Sequence, residues 1–331
     1  MAMNLVCVGA CYLDTILSVP HYPDEDSKLR ASSLQVRRGG NCPNTLEVLQ
    51  QLLREEQGVH ESVKVRPYLL TCLPARNAPA TKRIIESFGT DTPVDFSRCI
   101  FRGENQEPAS SYIIRSSATG SRTLVNYNGL AEMTFDEFVA ATENLGGETS
   151  WFHFEGRIPA TTLQCIQWLR RSTPKTKVSV EIEKPGREGL EELVAEADVV
   201  FFSRGWAESK LYTNAEECLL AQSAKARRGS RLFCTWGSQG AASWSLDGAT
   251  ISCPVKLPGQ TIRVLDTVGA GDTFIAGVLF GFLQHRHDWD DRAKLSFAVQ
   301  LATCKVQQEG FDGLGFKTLR HLAAARPEID G

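Results

Sequence analysis

The sequence reads Val264-Leu-Asp-Thr-Val-Gly-Ala-Gly-Asp-Thr-Phe-Ile-Ala-Gly-Val-Leu-Phe-Gly-Phe-Leu283 near its C-terminal end. The pattern predicts a strand end over Ile262–Leu265, a turn of small residues at Gly269, Ala270 and Gly271, and a long apolar helix over Gly271–Gln284. Small residues at a helix start let backbone N–H groups converge on an anion, and the helix dipole favours negative charge there. The stretch therefore predicts an anion-binding turn between a strand and a buried helix.

An acidic residue, Asp272, follows this turn directly. The pairing suits phosphoryl transfer, because oriented amides stabilise the transferred group while a carboxylate accepts the proton of the attacking hydroxyl. The alternative is a tight turn in which Asp272 is an ordinary N-cap carboxylate. A dinucleotide fingerprint is disfavoured because Phe274 occupies its third glycine position, and a Walker A loop because no Gly-Lys-Ser/Thr follows.

Outward from this segment, short apolar runs alternate with stretches of helical periodicity. The predicted strands are Leu5–Val8, Tyr68–Thr71, Trp151–Phe154, Val178–Ile182, Val199–Phe202, Arg231–Thr235 and Ala242–Trp244. The predicted helices are Asn44–Leu53, Ala80–Phe88, Thr161–Arg171, Arg187–Glu196, Ala215–Arg227, Gly271–Gln284 and Asp290–Glu309. This alternation favours a mostly parallel sheet covered by helices on both faces.

Two segments, about 15–37 and 108–128, are strand-prone and contain no helix that could carry a parallel crossover. We therefore expect antiparallel strands that form a small sheet beside the main one. Such a sheet, standing over the C-terminal edge of the parallel strands, would serve as a lid.

A second polar cluster is Arg37-Arg-Gly-Gly-Asn-Cys-Pro-Asn-Thr45. Asn41 and Asn44 lie three residues apart at the entry to a helix, and Asn carries both donors and acceptors, which suits vicinal hydroxyls of a sugar. Asp14, expected at the end of the first strand, adds a charged acceptor. The alternative is that the asparagines cap the helix and Asp14 opens a turn.

Two carboxylates, Glu181 and Glu183, fall on one face of a predicted strand, because side chains alternate along a strand. At the end of a strand they can hold Mg²⁺ through its waters. The alternative is an ion pair with Lys184, Arg157 or Arg204.

The composition restricts the class of partner. The 331 residues carry 36 basic and 39 acidic side chains, a net charge of −3, and 42% are hydrophobic. These values exclude a disordered chain and give no pull toward nucleic acid or anionic lipid. The apolar run Ile275–Leu283 is far shorter than a membrane span requires. The ten cysteines include no CxxC pair, so we expect free thiols and a cytoplasmic protein.

Taken together, the motifs resemble those of a known family. Asp266 to Leu279 resembles the C-terminal signature of the ribokinase (PfkB) family of carbohydrate kinases, and Arg38 to Thr45 resembles its N-terminal signature. Stretches such as His153-Phe-Glu-Gly-Arg157 are similar to members that phosphorylate a ketohexose, such as fructose, on its 1-hydroxyl. The resemblance extends from Asp14 to Gly313.

This resemblance implies one domain over residues 1–331 with a three-layer α/β/α ribokinase-like fold, a small β-sheet lid and a homodimer formed through the lids. It implies sugar and ATP as substrates, Mg²⁺, and room for a monovalent cation such as K⁺. By position, Asp272 would be the general base, with Gly269, Ala270 and Gly271 as the anion hole. Sugar would be bound by Asp14, Gly40, Asn41 and Asn44, and nucleotide by Arg122, Thr235, Gly237, Gly240, Gly269 and Gly271.

Two other functions fit the same sequence. One is a catalytically silent sugar sensor that keeps the fold, although such a protein has no need of a base at the anion hole. The other is a kinase for another sugar or for a nucleoside. The family's Asn-x-x-Glu metal motif is absent, since the corresponding stretch is Ser203-Arg-Gly-Trp206.

Overall fold

A computed structural model describes residues 2–56, 63–104, 106–143, 145, 150–245, 248–255, 262–316 and 318–319. Its central sheet has eight strands in the order β14-β13-β12-β11-β10-β9-β1-β4. The strands from β4 to β12 in this order run parallel, and the β13 and β14 strands continue the sheet in antiparallel fashion. Their bounds are β1 Ala2–Val8, β4 Lys64–Leu70, β9 Ser150–Phe154, β10 Lys177–Ile182, β11 Val199–Phe202, β12 Arg231–Thr235, β13 Ala241–Trp244 and β14 Thr250–Cys253.

Helices cover both faces of this sheet, and each face has its own hydrophobic core. One face packs against α1 Asn41–Glu56, α2 Pro79–Glu86, α8 Ala270–Gln284 and α9 Asp291–Val306. The other packs against α3 Phe135–Thr142, α4 Pro159–Ser172, α5 Leu190–Val194, α6 Arg204–Ser209 and α7 Ala215–Ser223. The structure therefore confirms the predicted three-layer α/β/α fold. The sequence analysis did not identify α3 and α6.

The lid is a separate four-stranded sheet in the order β3-β2-β7-β8. Its strands are β2 Tyr12–Val19, β3 Ser33–Gly39, β7 Ser110–Ser116 and β8 Arg122–Tyr127, and a further small pair joins β5 Cys72–Leu73 to β6 Ile100–Phe101. The expectation of a purely antiparallel lid was wrong, because its two central strands, β2 and β7, pair in parallel. The crossover between them runs through the central domain, so neither lid segment needs a helix of its own.

Two local predictions were also wrong. Ile262–Leu265 forms no strand; the Leu265 N–H instead donates to the Val306 carbonyl over 2.7 Å. Asp14 does not end the first strand, which stops at Val8, but is the third residue of β2 in the lid. The carboxylate therefore reaches the site from the lid and not from the sheet edge.

The ten cysteines are free thiols, and seven of them are buried, as expected from the sequence. Among the described helices, none combines the length and the apolar character needed to cross a bilayer. Residues 320–331 of the predicted single domain lie outside the described part of the chain.

Candidate active site

A cavity of about 1260 Å³ lies between the C-terminal edge of the parallel strands and the lid. Such a volume exceeds that of a typical single-ligand pocket, so it can hold two small molecules side by side. The position is where α/β sheets bind ligands, because loops and helix N-termini converge there. Most of the predicted site residues line it: Asp14, Gly40, Asn41, Asn44, Arg122, Glu181, Glu183, Thr235, Gly269, Ala270, Gly271 and Asp272.

The start of α8 lies in the wall of this cavity. Gly269 has a φ of 77°, and a Cβ there would lie 2.4 Å from the Phe311 ring, so only glycine fits. The Ala270 N–H makes one long bond, 3.3 Å, to the Thr267 carbonyl. Within the described ranges, the N–H groups of Gly269 and Gly271 have no hydrogen-bond acceptor. The turn therefore leaves backbone donors available for an anion.

Asp272 occupies the first turn of α8 but does not cap it. The N-cap position belongs to Gly269, and no side chain closes the cap. Instead, Asn44 Nδ2 donates to Asp272 Oδ2 over 2.8 Å. The N-cap alternative is therefore not what the structure adopts, and no described residue donates a hydrogen bond to the other carboxylate oxygen, Oδ1.

The orientation of the Asn44 amide follows from Arg38, which lies behind it. Arg38 Nη1 lies 3.3 Å from Asn44 Oδ1, and a guanidinium has donors only. The amide oxygen must therefore face Arg38 and the amide nitrogen must face Asp272. The same guanidinium contacts Ser87 and Glu47 and stacks on the Phe88 ring.

Among the carboxylates that line the cavity, Asp272, Glu181 and Glu155 have raised pKa values. Desolvation, and after it the charge of Glu181, raises the pKa of Asp272 well above its ordinary value, although the Asn44 bond opposes this. Burial raises the pKa of Glu181 to about 8 and that of Glu155 to about 7. A carboxylate that holds its proton more tightly is a stronger base, which suits proton abstraction from a hydroxyl near neutral pH.

The four predicted sugar residues, Asp14, Gly40, Asn41 and Asn44, all line the cavity. Asp14 is buried, and burial raises the pKa of its carboxyl while a hydrogen bond from Ser111 opposes the shift. Gly40 has a φ of 109°, and a Cβ there would lie 2.2 Å from the Ala10 carbonyl oxygen. This close approach lets the lid strand β3 turn directly into α1, which begins at Asn41.

Four of the six predicted nucleotide residues, Arg122, Thr235, Gly269 and Gly271, line the cavity. Arg122 Nη2 of the lid donates to Thr267 Oγ1 over 3.3 Å, so the lid arginine reaches the loop that precedes α8. The other two lie outside the cavity lining, since Gly237 begins the adjoining 3₁₀ turn and Gly240 follows its end.

The predicted metal pair does share one face, since Asn41 Nδ2 lies 2.7 Å from Glu181 Oε2 and 3.3 Å from Glu183 Oε2. Glu181 is buried, and Glu183 is half-exposed beside Lys184, 3.7 Å away. Three cations were expected as alternative partners of these carboxylates: Lys184, Arg157 and Arg204. Among the described residues, only Lys184 pairs with this site. Arg157 binds Glu132, and Arg204 binds Glu208.

Sequence reasoning missed part of the support of the site. Arg38 and His153 were identified only as members of sequence motifs. The alternation of side chains along two apolar strands could have revealed these supporting groups. On one face stand Trp151, His153 and Glu155 of the first strand and Ser179, Glu181 and Glu183 of the second.

The fold and the cavity define a two-substrate α/β enzyme of ribokinase-like architecture. A model of the pfkB family carbohydrate kinases matches residues 2–314, and the chain belongs to this family. It is 31% identical to the ketohexokinase of Mus musculus over 318 residues, which cover 94% of this chain and 98% of the mouse protein.

Solved structures agree on the fold. Ribokinase from Arabidopsis thaliana, complexed with ribose and ATP, superposes with a TM-score of 0.73 at 17% identity and covers 97% of this chain and 99% of its own. The nucleoside kinase of Methanocaldococcus jannaschii superposes with a TM-score of 0.68 at 20% identity, and the match covers 97% of this chain and 98% of the nucleoside kinase. The protein is accordingly a carbohydrate kinase of the PfkB family with a ribokinase-like fold.

Proposed function

We propose that this protein transfers the γ-phosphoryl group of ATP to the 1-hydroxyl of a ketohexose, with D-fructose as the first substrate to test. The observation that carries the proposal is the position of Asp272 beside the N–H groups of Gly269 and Gly271, which have no hydrogen-bond acceptor among the described residues. The mouse ketohexokinase supports the choice of sugar, because it is similar along nearly its whole length.

The proposed chemistry needs few groups. Asp272 Oδ1 takes the proton of the attacking hydroxyl, the hydroxyl oxygen forms a bond to the γ-phosphorus, and the bond to the leaving ADP oxygen breaks. The amides of Gly269, Ala270 and Gly271 stabilise the charge on the phosphoryl oxygens during transfer. Arg122 approaches the same group from the lid. Asp14, Gly40, Asn41 and Asn44 bind the sugar, and Thr235, Gly237 and Gly240 are proposed for the nucleotide.

The carboxylates beside the cavity fit a divalent cation. Glu155 and Glu181 have pKa values raised by burial and by neighbouring carboxylates, so a cation near them would relieve their repulsion. We propose that Glu183, with Glu181 behind it, holds Mg²⁺ through waters. When bound, the ion neutralises phosphate charge. Dependence on K⁺ stays a prediction, tested by replacing K⁺ with tetramethylammonium in the assay.

The lid also supports a homodimer. Strand β8 is exposed along its length, and Leu124, Val125 and Tyr127 are exposed on it, together with Tyr112 of β7. An exposed edge strand with apolar side chains is a surface that native proteins usually cover. We propose that a second copy of the chain covers it, in a cytoplasmic enzyme.

The test is an ADP-release assay with a panel of D-fructose, other sugars, sugar alcohols and nucleosides, run beside Asp272→Asn. We expect D-fructose to give the highest kcat/KM, and we expect Asp272→Asn to lose on the order of 10²–10⁴ in kcat while keeping its fold. Equal turnover by the two proteins would refute the base assignment. A nucleoside preferred tenfold would replace the ketohexose, and sugar binding by calorimetry without ADP release would indicate a silent sensor.

A further inference from the structure

A chain of buried polar groups crosses two central strands behind the cavity. Trp151 Nε1 lies 2.8 Å from Ser179 Oγ, and His153 Nδ1 lies 2.9 Å from the same hydroxyl. On its other side, His153 Nε2 lies 2.9 Å from Glu181 Oε1. Ser179 and His153 face each other in the parallel β9–β10 register, and both are fully buried.

The direction of each hydrogen bond follows from the first donor. The Trp151 indole can only donate, so Ser179 Oγ accepts from it. No other described residue accepts the Ser179 hydroxyl hydrogen, and a buried donor is normally satisfied, so that hydrogen goes to His153 Nδ1. The histidine proton therefore sits on Nε2, and His153 donates to Glu181.

At the end of the chain, Glu181 binds the side-chain amide of Asn41. Its Oε2 lies 2.7 Å from Asn41 Nδ2, which is also 3.3 Å from Glu183 Oε2. Only the amide nitrogen is compatible with two carboxylate oxygens, so the amide oxygen is turned away from both. Among the described residues nothing bonds to Asn41 Oδ1, and Asn41 lines the cavity.

A metal site at this place is the weaker interpretation. Cys42, His153 and Glu181 offer ligand atoms within 4.8 Å of one another, and all three are buried. Both ring nitrogens of His153 are already hydrogen-bonded, however, and the pattern of donors is complete without an ion.

We infer that His153 is a positioning residue, which acts through Glu181 to hold the Asn41 amide with Oδ1 toward the substrate. Asn41 then offers an acceptor only, so the substrate group that meets it must be a donor, as a hydroxyl is. This inference rests on the proposed function, because it assigns a role to Asn41 in sugar binding.

The test is a double-variant cycle in the full-length enzyme, with His153→Phe, Asn41→Ala and the combination. The sugar is D-fructose or, if the panel selects another, the sugar with the highest kcat/KM. We expect His153→Phe to raise KM for the sugar roughly tenfold to a hundredfold, with KM for ATP unchanged within twofold. On the Asn41→Ala background, the same substitution should change the sugar KM less than twofold, because coupled residues are not additive.

Two further variants separate positioning from packing. His153→Gln keeps one acceptor and one donor and should restore the sugar KM to within about threefold of wild type. His285→Phe is the matched control. His285 follows the C-terminal end of α8, whereas Asp272 lies in its first turn, so this substitution should leave both KM values unchanged. If His153→Phe does not fold, Ser179→Ala takes its place in the cycle, since it breaks the same chain one bond further back.

Effects of His153→Phe and Asn41→Ala that multiply in the double variant would overturn the inference while leaving the kinase activity intact. A glutamine variant as poor as the phenylalanine variant would overturn it as well. Failure of the proposed function is recognised separately, because the wild-type enzyme would then transfer phosphate to no sugar of the panel, and the inference would fall with it.

Discussion

Replacing Arg38 with methionine should both destabilise the protein and slow phosphoryl transfer, for two separable reasons. The guanidinium is almost fully buried and lies 3.3 Å from Glu47 Oε2 and 3.3 Å from Asn44 Oδ1. It also stacks 4.1 Å from the centre of the Phe88 ring. Methionine keeps much of the stem volume but removes every donor.

The stability effect comes from Glu47. Removing one partner of a buried ion pair leaves an uncompensated charge and costs about 3–5 kcal/mol, which for a chain of this size corresponds to a fall in Tm of about 4–7 °C. Burial already raises the pKa of Glu47, and Arg38 opposes that shift. In the variant the folded-state pKa rises further above the unfolded value. The destabilisation should therefore be smallest near pH 5 and grow as pH rises toward 8, because ionised Glu47 is what the variant tolerates poorly.

The catalytic effect comes from Asn44. Without Arg38 the Asn44 amide oxygen loses its donor, only the Asp272 carboxylate is left to orient the amide, and the hydrogen bond to Asp272 Oδ2 is weakened. A hydrogen bond to a charged group contributes about 1.5–3 kcal/mol, which corresponds to a loss in kcat of roughly 10- to 150-fold.

Urea unfolding and the ADP-release assay measure the two effects on the same preparations. The matched variant is Arg38→Met with Glu47→Leu, which removes the unpaired charge as well. We expect this double variant to recover most of the lost stability but none of the lost kcat. If stability and kcat return together, the slow turnover was a consequence of unfolding, and the role of Arg38 in orienting Asn44 is refuted. If Arg38→Met unfolds within 1 kcal/mol of wild type, the ion-pair argument is refuted.

Three further predictions follow from other contacts. Gly269→Ala should lower stability by about 1–2 kcal/mol or more and kcat at least tenfold, measured by unfolding and ADP release, because a Cβ at φ 77° meets the Phe311 ring. The pKa of Glu155 is raised from 4.5 to about 7 in the folded protein, so its ionisation destabilises the wild type as pH rises from 5 to 8. Glu155→Gln removes this effect and should gain on the order of 3 kcal/mol in stability relative to wild type over the same range. Urea unfolding without nucleotide or Mg²⁺ measures the difference. Val125→Lys on the exposed lid strand should halve the mass seen by light scattering; a wild-type mass equal to one chain would contradict the lid dimer.

The central domain was predictable because its strands are buried on both faces. A strand covered by helices on each side appears as a continuous apolar run, and the runs at Val199–Phe202 and Val178–Ile182 coincide with β11 and β10 within one residue at either end. The start of α8 was predictable for a different reason. Consecutive small residues before an apolar helix have few structural uses other than a close backbone approach.

The lid was harder because pairing between distant strands leaves little trace in sequence. Strands β2 and β7 are separated by most of the first third of the chain, and their parallel pairing depends on how the central sheet carries the chain between them. Looking for a crossover helix inside each segment missed this. Asp14 was placed at the end of β1 for another reason. The Gly-Ala-Cys connection between β1 and β2 is so short that the sequence does not distinguish two strands from the end of a single strand.

The two asparagines show where sequence reasoning about the site stops. Their three-residue spacing indicates that both point toward one ligand, but it says nothing about which end of each amide is presented. That choice is made behind them, by a donor-only group for Asn44 and by an acceptor pair for Asn41. Arg38 and Asn44 are six residues apart in sequence, whereas Asn44 and Asp272 are 228 residues apart and come into contact only when the whole chain is folded. Because an amide can rotate at little cost in isolation, the polarity of the proposed sugar site is a property of the buried groups that hold it, and substitutions of those groups should change recognition although they do not contact the substrate.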